Sequence, residues 1–254
     1  MQKLKLKFWQ LKLKISGMLK VIVLLFISTF TYALSTDKTD GFSGNFDLGL
    51  NYTQNIDNIL QFNNVFLANY KHKKSVVSLN NNISFISQTG KEEMLNKGVQ
   101  DLKYSFNTSQ LGADLTLQHL YDISRSIKRR WTTGIGISYA VIKSDIEKAR
   151  FGISTLRELE TSLEGNQKID TRISGSIDFT IKLLNNVELI SKNHYQPNIK
   201  NIGDFRWKTN FSLRITLNSH FLFSLNNTFN YDSFPKLEIP EIDYQLINSL
   251  SYTF

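Results

Sequence analysis

The chain ends Ile247-Asn248-Ser249-Leu250-Ser251-Tyr252-Thr253-Phe254. Read backwards, Phe254, Tyr252, Leu250 and Leu246 share one face of a strand, and Thr253, Ser251, Ser249 and Gln245 share the other, because successive side chains of a strand point to opposite sides. In a soluble sheet the apolar face would press on a core. In a membrane barrel it would meet lipid and leave the polar face to a lumen. The rest of the chain has to decide.

The same alternation recurs from Gly41 onward, and no stretch carries a comparable 3.6-residue apolar period. Phe42, Phe46, Leu48, Leu50 and Tyr52 alternate with Ser43, Asn45, Asp47, Asn51 and Thr53. Trp207, Phe211, Leu213 and Ile215 alternate with Arg206, Lys208, Asn210, Ser212 and Arg214. The chain reads as all-β, with twelve strands expected at about 41–53, 58–71, 74–87, 94–107, 110–121, 131–143, 148–163, 168–182, 186–196, 202–217, 219–232 and 242–254. Most run to about 11 to 16 residues, beyond the about 5 to 6 usual in soluble sheets and enough to cross a hydrocarbon slab at a tilt.

The connections give an independent test. A barrel with both ends in the periplasm has short turns at its even connections and longer loops at its odd ones. The even ones, near His72-Lys73-Lys74, Thr108-Ser109, 144–147, 183–185 and Asn218, are all brief. Among the odd ones, 88–93, 122–130, 197–201 and 233–241 are longer, while 55–57 and 164–167 are short. All three prolines, Pro197, Pro235 and Pro240, fall in the odd connections, as expected of residues that cannot donate to a ladder.

A sheet that faces hydrocarbon must close, since an open edge leaves backbone groups unsatisfied. The expected fold is therefore a closed antiparallel transmembrane β-barrel of about twelve strands occupying 41–254, its last strand paired with its first. Leu250, Tyr252 and Phe254 look like the carboxy-terminal signal that assembly machinery recognises on bacterial outer-membrane barrels. Aromatics lie toward strand ends, among them Tyr70, Tyr104, Tyr121, Trp131, Tyr139, Tyr195, Trp207 and Tyr231, where interfacial girdles sit. The alternative is an exported β-sandwich or lipocalin-like barrel.

At the other end, Val21 to Ala33, "VIVLLFISTFTYA", has the length of a signal-peptide core, short for a membrane-spanning helix. Residues 1–33 are read as a secretory signal cleaved near Ala33, with an anchor helix as the alternative, and 34–40 as a linker. Met18 begins a compact form of the same signal, "MLKVIVLL". Six of the 30 basic residues and no acid lie in 1–33, so 24 remain against 22 acidic ones and the rest of the chain is near +2 rather than +8. Nucleic-acid binding thereby loses its compositional support. With no cysteine, neither a disulfide framework nor a thiolate metal site is available.

The stretches "GNFDLGLNYTQNIDNILQFNN" at 44–64 and Asn96-Lys97-Gly98-Val99-Gln100-Asp101-Leu102-Lys103-Tyr104 resemble the family called domain of unknown function 481, over about residues 41–254. Members of that family include proteins described as salt-induced outer-membrane proteins, and the Bacteroidetes branch is the most similar. There the second motif has a His-Leu-Arg-Tyr core where this chain has Asp101-Leu102-Lys103-Tyr104. The resemblance implies location and fold and offers no activity.

Alternation sends charges of both signs to the lumen: Asp47, Lys103, Asp114, Arg150, Glu158, Glu160, Asp170, Arg172, Asp178, Lys182, Glu188, Lys192, Arg206, Lys208 and Arg214. Such side chains either pair and fill a narrow barrel or line a water path. Glu158, Glu160, Asp170, Arg172, Asp178, Arg206, Lys208 and Arg214 form the candidate network, with Glu158, Glu160, Arg172, Arg206 and Lys208 as the candidate constriction. An embedded lipid-modifying enzyme would need Ser, His and a third polar group together. Of the four histidines, His72, His119, His194 and His220, none sits in a nucleophile motif, though His119 could lie near Ser124. No clustered ligand set and no phosphate-cradling glycine loop stands out, so no cofactor and no catalytic residue is expected. Arg125, Lys128, Arg129 and Arg130, read as one outward loop, either meet lipopolysaccharide phosphates or are simply solvated. The expected partners are outer-membrane lipid, lipopolysaccharide and the assembly machinery.

Overall fold

Twelve antiparallel strands close on themselves, each paired with its chain neighbours and the last with the first. The computed structural model describes residues 40–54, 58–88, 95–236 and 239–253. The segment read as a signal, including Met18, the linker up to residue 39 and the terminal Phe254 lie outside the described residues. The strands are β1 Gly41–Gln54, β2 Asn58–His72, β3 Ser75–Gln88, β4 Leu95–Asn107, β5 Leu111–Asp122, β6 Ile127–Lys143, β7 Glu147–Ser162, β8 Gln167–Leu184, β9 Val187–Pro197, β10 Phe205–Thr216, β11 Phe221–Asp232 and β12 Ile242–Thr253. The even connections form the turn end of the barrel and the odd ones its loop end.

Two expectations change. The third loop is not 122–130: β6 begins at Ile127, because one turn of 3-10 helix, Ile123–Arg125, reverses the chain within 123–126. Asp122 caps that turn by accepting from the Arg125 N–H, and Ser126, at φ 55°, completes the reversal. Arg129 and Arg130 therefore belong to a strand and face opposite ways. Pro197 is also not in a loop. It ends β9 opposite Phe205, and the next N–H, that of Asn198, donates to the Asp204 carbonyl at 2.8 Å, so the missing donor falls at the last rung.

The period-two pattern sorts the side chains. On β5 and β6 the outward positions Leu115, Leu117, Ile135 and Ile137 are exposed, while their inward neighbours include Asp114, Thr116, Gly134 and Gly136. The interior is polar. Among the described residues only Ile127 and Ala140 are buried apolar side chains, whereas Arg172, Glu158, Asp170, Arg206 and Arg130 are all buried. An apolar exterior around a polar interior inverts a soluble protein and suits a barrel solvated by hydrocarbon. Outward aromatics mark two levels. Phe42, Tyr70, Tyr104 and Tyr139 lie toward the turn end, and Trp131, Tyr195 and Trp207 toward the loop end, all exposed. Phe42 and Tyr70 touch at 4.7 Å between ring centroids.

The seam that closes the barrel pairs Asn45 with Thr253, Phe46 with Tyr252 and Asp47 with Ser251. Ser251 points inward and is buried, whereas Leu250 is exposed on the outer face. Tyr252 packs beside His220 and Phe221. Of the expected assembly signal, Leu250 and Tyr252 thus stand on the outside of β12.

Candidate functional site

Inside the loop end, side chains from β7, β8 and β10 meet the loop between β9 and β10. Arg172 of β8 is 1% exposed. Its Nη1 donates to the Gln196 and Asp204 carbonyls at 3.1 and 3.0 Å, and its Nη2 to Asp204 Oδ1 at 2.6 Å. Its Nε lies 3.4 Å from Glu158 Oε2, and Asp170 is 3.9 Å from Nη2. Glu158 of β7 also accepts both of its oxygens' bonds from Arg206 Nη1, at 3.1 and 2.8 Å, although Arg206 stands three strands away on β10. Arg206 continues to Asp232 of β11, at 3.3 Å.

The contact between Glu158 and Arg206 skips two strands, so it lies across the interior rather than along the wall. Others do the same. Lys236, in the loop between β11 and β12, donates to the Ser126 carbonyl at 2.6 Å and lies 3.2 Å from Glu160, which is itself bound by Arg130 of β6. Arg125 reaches Asp232 at 3.9 Å. Lys97 of β4 reaches Asp243 of β12 at 3.4 Å. These bridges span the loop-end mouth from several directions. Buried charges are tolerable only when paired and hydrogen-bonded, which alternation along each strand and the short chords of the barrel together provide.

The Asp204 carboxyl, in the loop, is pushed up by its burial. Arg172 outweighs this by hydrogen bond and by charge, with help from Lys168 and Asn198, and holds it below the usual aspartate range.

Beneath the bridges lies a chamber of about 800 Å³. Its wall runs from Asp122 and Arg125 at the loop end to Asn107 and Arg150 near the turn end. Lys103 pairs with Asp114 at 3.1 Å, and Asp101 accepts from Asn80 and Gln118. Asp101 and Lys103 are therefore both ordinary members of the lumen wall.

The expected network divides in two. Glu158, Glu160, Asp170, Arg172 and Arg206 are gathered at the mouth. Lys208 lines the chamber just inside Arg206 and has no ion pair within 4 Å among the described residues, and Asp178 lines it further down. Arg214, on β10 toward the turn end, and Asp178 take no part in the mouth. Sequence reasoning missed Asp204, Asp232, Asp243, Lys97 and Lys236. Parity puts Asp232 and Asp243 on the inner face of their strands and was available as a signal, whereas Lys236 sits in a loop where alternation says nothing.

Two further expectations are corrected. The patch Arg125, Lys128, Arg129 and Arg130 is not one outward surface: Arg130 faces the lumen and Arg125 the mouth, while Arg129 contacts Thr161. His119 is not placed with Ser124. It faces outward, 4.6 Å from the Trp131 ring, whereas the Ser124 hydroxyl donates to Asp122 at 2.6 Å. Among the described residues no group of three or more His, Asp or Glu could hold a metal ion, and no helix is long and apolar enough to cross a membrane, which says nothing of strands.

The chain is similar to several solved barrels. The NanC porin matches with 8% identity over 84% of this chain and 98% of its own, at a TM-score of 0.47. The KdgM porin matches with 9% identity over 84% and 99%, at 0.46. An anion-selective porin from Comamonas acidovorans matches with 9% identity over 85% and 99%, at 0.41. Among curated proteins none matches. The family described as "Protein of unknown function, DUF481" matches residues 30–254, and the chain belongs to that family.

Proposed function

We propose that the protein is an outer-membrane barrel whose polar chamber is a narrow conduit for small hydrophilic solutes, closed at its loop-end mouth by the cross-lumen ion pairs. The observation that carries this reading is the continuity of the charged chamber along the barrel axis inside a wall whose outer face is apolar between two aromatic levels. A barrel that served only as a structural element could fill its lumen with paired side chains. Here the pairs that cross the interior collect at one end and leave a space below.

In this orientation the turn end faces the periplasm, the loops face outward, and the partners are membrane lipid, lipopolysaccharide and, through β12, the assembly machinery. The reading is of a conduit and not of an enzyme. The chamber wall carries charge of both signs, whereas His119, the histidine that the sequence offered as a partner of Ser124, points out of the barrel against Trp131.

The test is conductance of the purified barrel in planar bilayers. The wild type is expected to show small, intermittently closed conductance, and Glu158→Gln with Arg206→Gln a larger and steadier one. Silence of both proteins, once correctly inserted, would leave the barrel a structural element of the envelope.

A further inference from the structure

The outer face of β2 to β5 carries a feature that a conduit does not use. Asn64, Asn81, Gln100 and His119 occupy outward positions on four successive strands. Asn81 Nδ2 donates to Asn64 Oδ1 at 3.4 Å, Gln100 Nε2 donates to Asn81 Oδ1 at 3.2 Å, and His119 Nδ1 lies 2.8 Å from Gln100 Oε1. The row ends on Trp131 at the loop-end aromatic level. At its other end it runs into the apolar band: Asn64 pairs across β1 with the exposed Leu48, and Leu79 and Leu102 flank Asn81 and Gln100 along their strands.

We propose that this row is the contact between two copies of the chain standing side by side in the membrane, an inference that rests on the membrane reading above. Each carboxamide has two donor hydrogens and an acceptor oxygen with two lone pairs. Asn81 and Gln100 each make two contacts within the row, and Asn64 accepts from Asn81 and donates to the Asp47 carbonyl at 3.5 Å. Each carboxamide still keeps a second donor hydrogen and a lone pair that hydrocarbon cannot satisfy. A second copy supplies what is missing. Because a carboxamide both donates and accepts, the same row is complementary to itself across a two-fold axis. Such a same-patch contact is what two copies inserted in the same direction make about an axis normal to the membrane, and polar side chains are the groups that hold spans together in lipid. The row crosses tilted strands, so two facing rows cross as well, and their middle members, Asn81 and Gln100, come nearest the axis.

The absence of cysteine makes the test clean. In native membranes, oxidation of Asn81→Cys is expected to give a disulfide-linked dimer, while Phe211→Cys, outward on β10 at the far side of the barrel, stays monomeric. Light scattering of the wild-type barrel in lipid nanodiscs is expected to report two copies, and Asn81→Leu with Gln100→Leu one copy. No cross-link at position 81 in a barrel that still migrates faster before boiling than after, equal cross-linking at both positions, or a wild type with a single copy would each overturn the inference. Loss of that heat-dependent migration in the wild type would instead sink the membrane reading itself.

Discussion

Glu158→Gln is the sharpest probe of the mouth. The carboxylate lies 2.8 Å from Arg206 Nη1 and 3.4 Å from Arg172 Nε. At an effective dielectric near 20, each attraction is worth about 5 to 6 kcal/mol before desolvation. Burying the ions takes back several kcal/mol apiece, so the intact cluster adds little net stability, but removing one partner strands the others. Such a break costs about 3 to 5 kcal/mol. Here the lower end is expected, about 3 kcal/mol, because Arg206 keeps Asp232 and Arg172 keeps Asp204 and two carbonyls. Urea unfolding in lipid vesicles, followed by the fluorescence of Trp131 and Trp207 at the outer face, reads the loss. The double variant Glu158→Gln with Arg206→Gln removes both charges and should recover at least half of it. A loss under about 0.5 kcal/mol for Glu158→Gln, the range of ordinary surface changes, would mean that the cluster is solvated, and the closed-mouth reasoning would fail.

Three further outcomes follow from the same geometry. Lys236→Ala should lengthen open times in bilayer recordings while changing stability by less than about 1 kcal/mol, since the lysine side chain is 37% exposed and exposed pairs contribute little; unchanged gating would release this loop from the mouth. Asp204 has a folded value below its ordinary 3.8, so its contribution is fully present above that value and is lost as the pH falls through the lower folded one. Acid titration of wild type against Asp204→Asn should accordingly show two stabilities that converge toward low pH, and a constant gap would refute the assignment. Gly136→Ala places a Cβ 2.7 Å from the Ser154 Cβ and 3.0 Å from the Ile153 carbonyl, an overpacking expected to cost about 1 to 3 kcal/mol in the same urea assay; a variant as stable as wild type would show that β6 and β7 can part there.

Parity made most of the fold readable. A one-residue slip turns every side chain of a strand to the other face, so residues such as Trp207 and Phe211 against Arg206 and Lys208 fix which side meets lipid without any knowledge of neighbours. Strand limits followed wherever a brief turn broke the alternation. They failed at 122–130 because a register shift between Ile127 and Arg129 breaks the alternation and leaves Ile127 on the lumen side with Arg130, and only the capped turn at Asp122 with the left-handed Ser126 shows where the reversal ends. Pro197 misled in the opposite direction, since a residue without an N–H is harmless at the last rung of a strand.

The candidate site was readable by face and not by partner, and the reason is geometric. Alternation places Glu158, Arg172 and Arg206 inside, but the height at which each meets the others depends on how far every strand is displaced along its neighbour around the whole ring, a quantity that no single segment encodes. Glu158 meets Arg206 across two intervening strands, whereas Asp178 and Arg214, equally charged and equally inward, miss the mouth because they lie further along their strands. The same accumulation of displacements decides which outward polar residues line up. Asn64, Asn81, Gln100 and His119 are single interruptions of four separate apolar faces, each unremarkable alone. Only the register of β2 to β5 brings them together. Inside the barrel and outside it, such polar alignments have members chosen strand by strand, but their meaning exists only once the ring is closed.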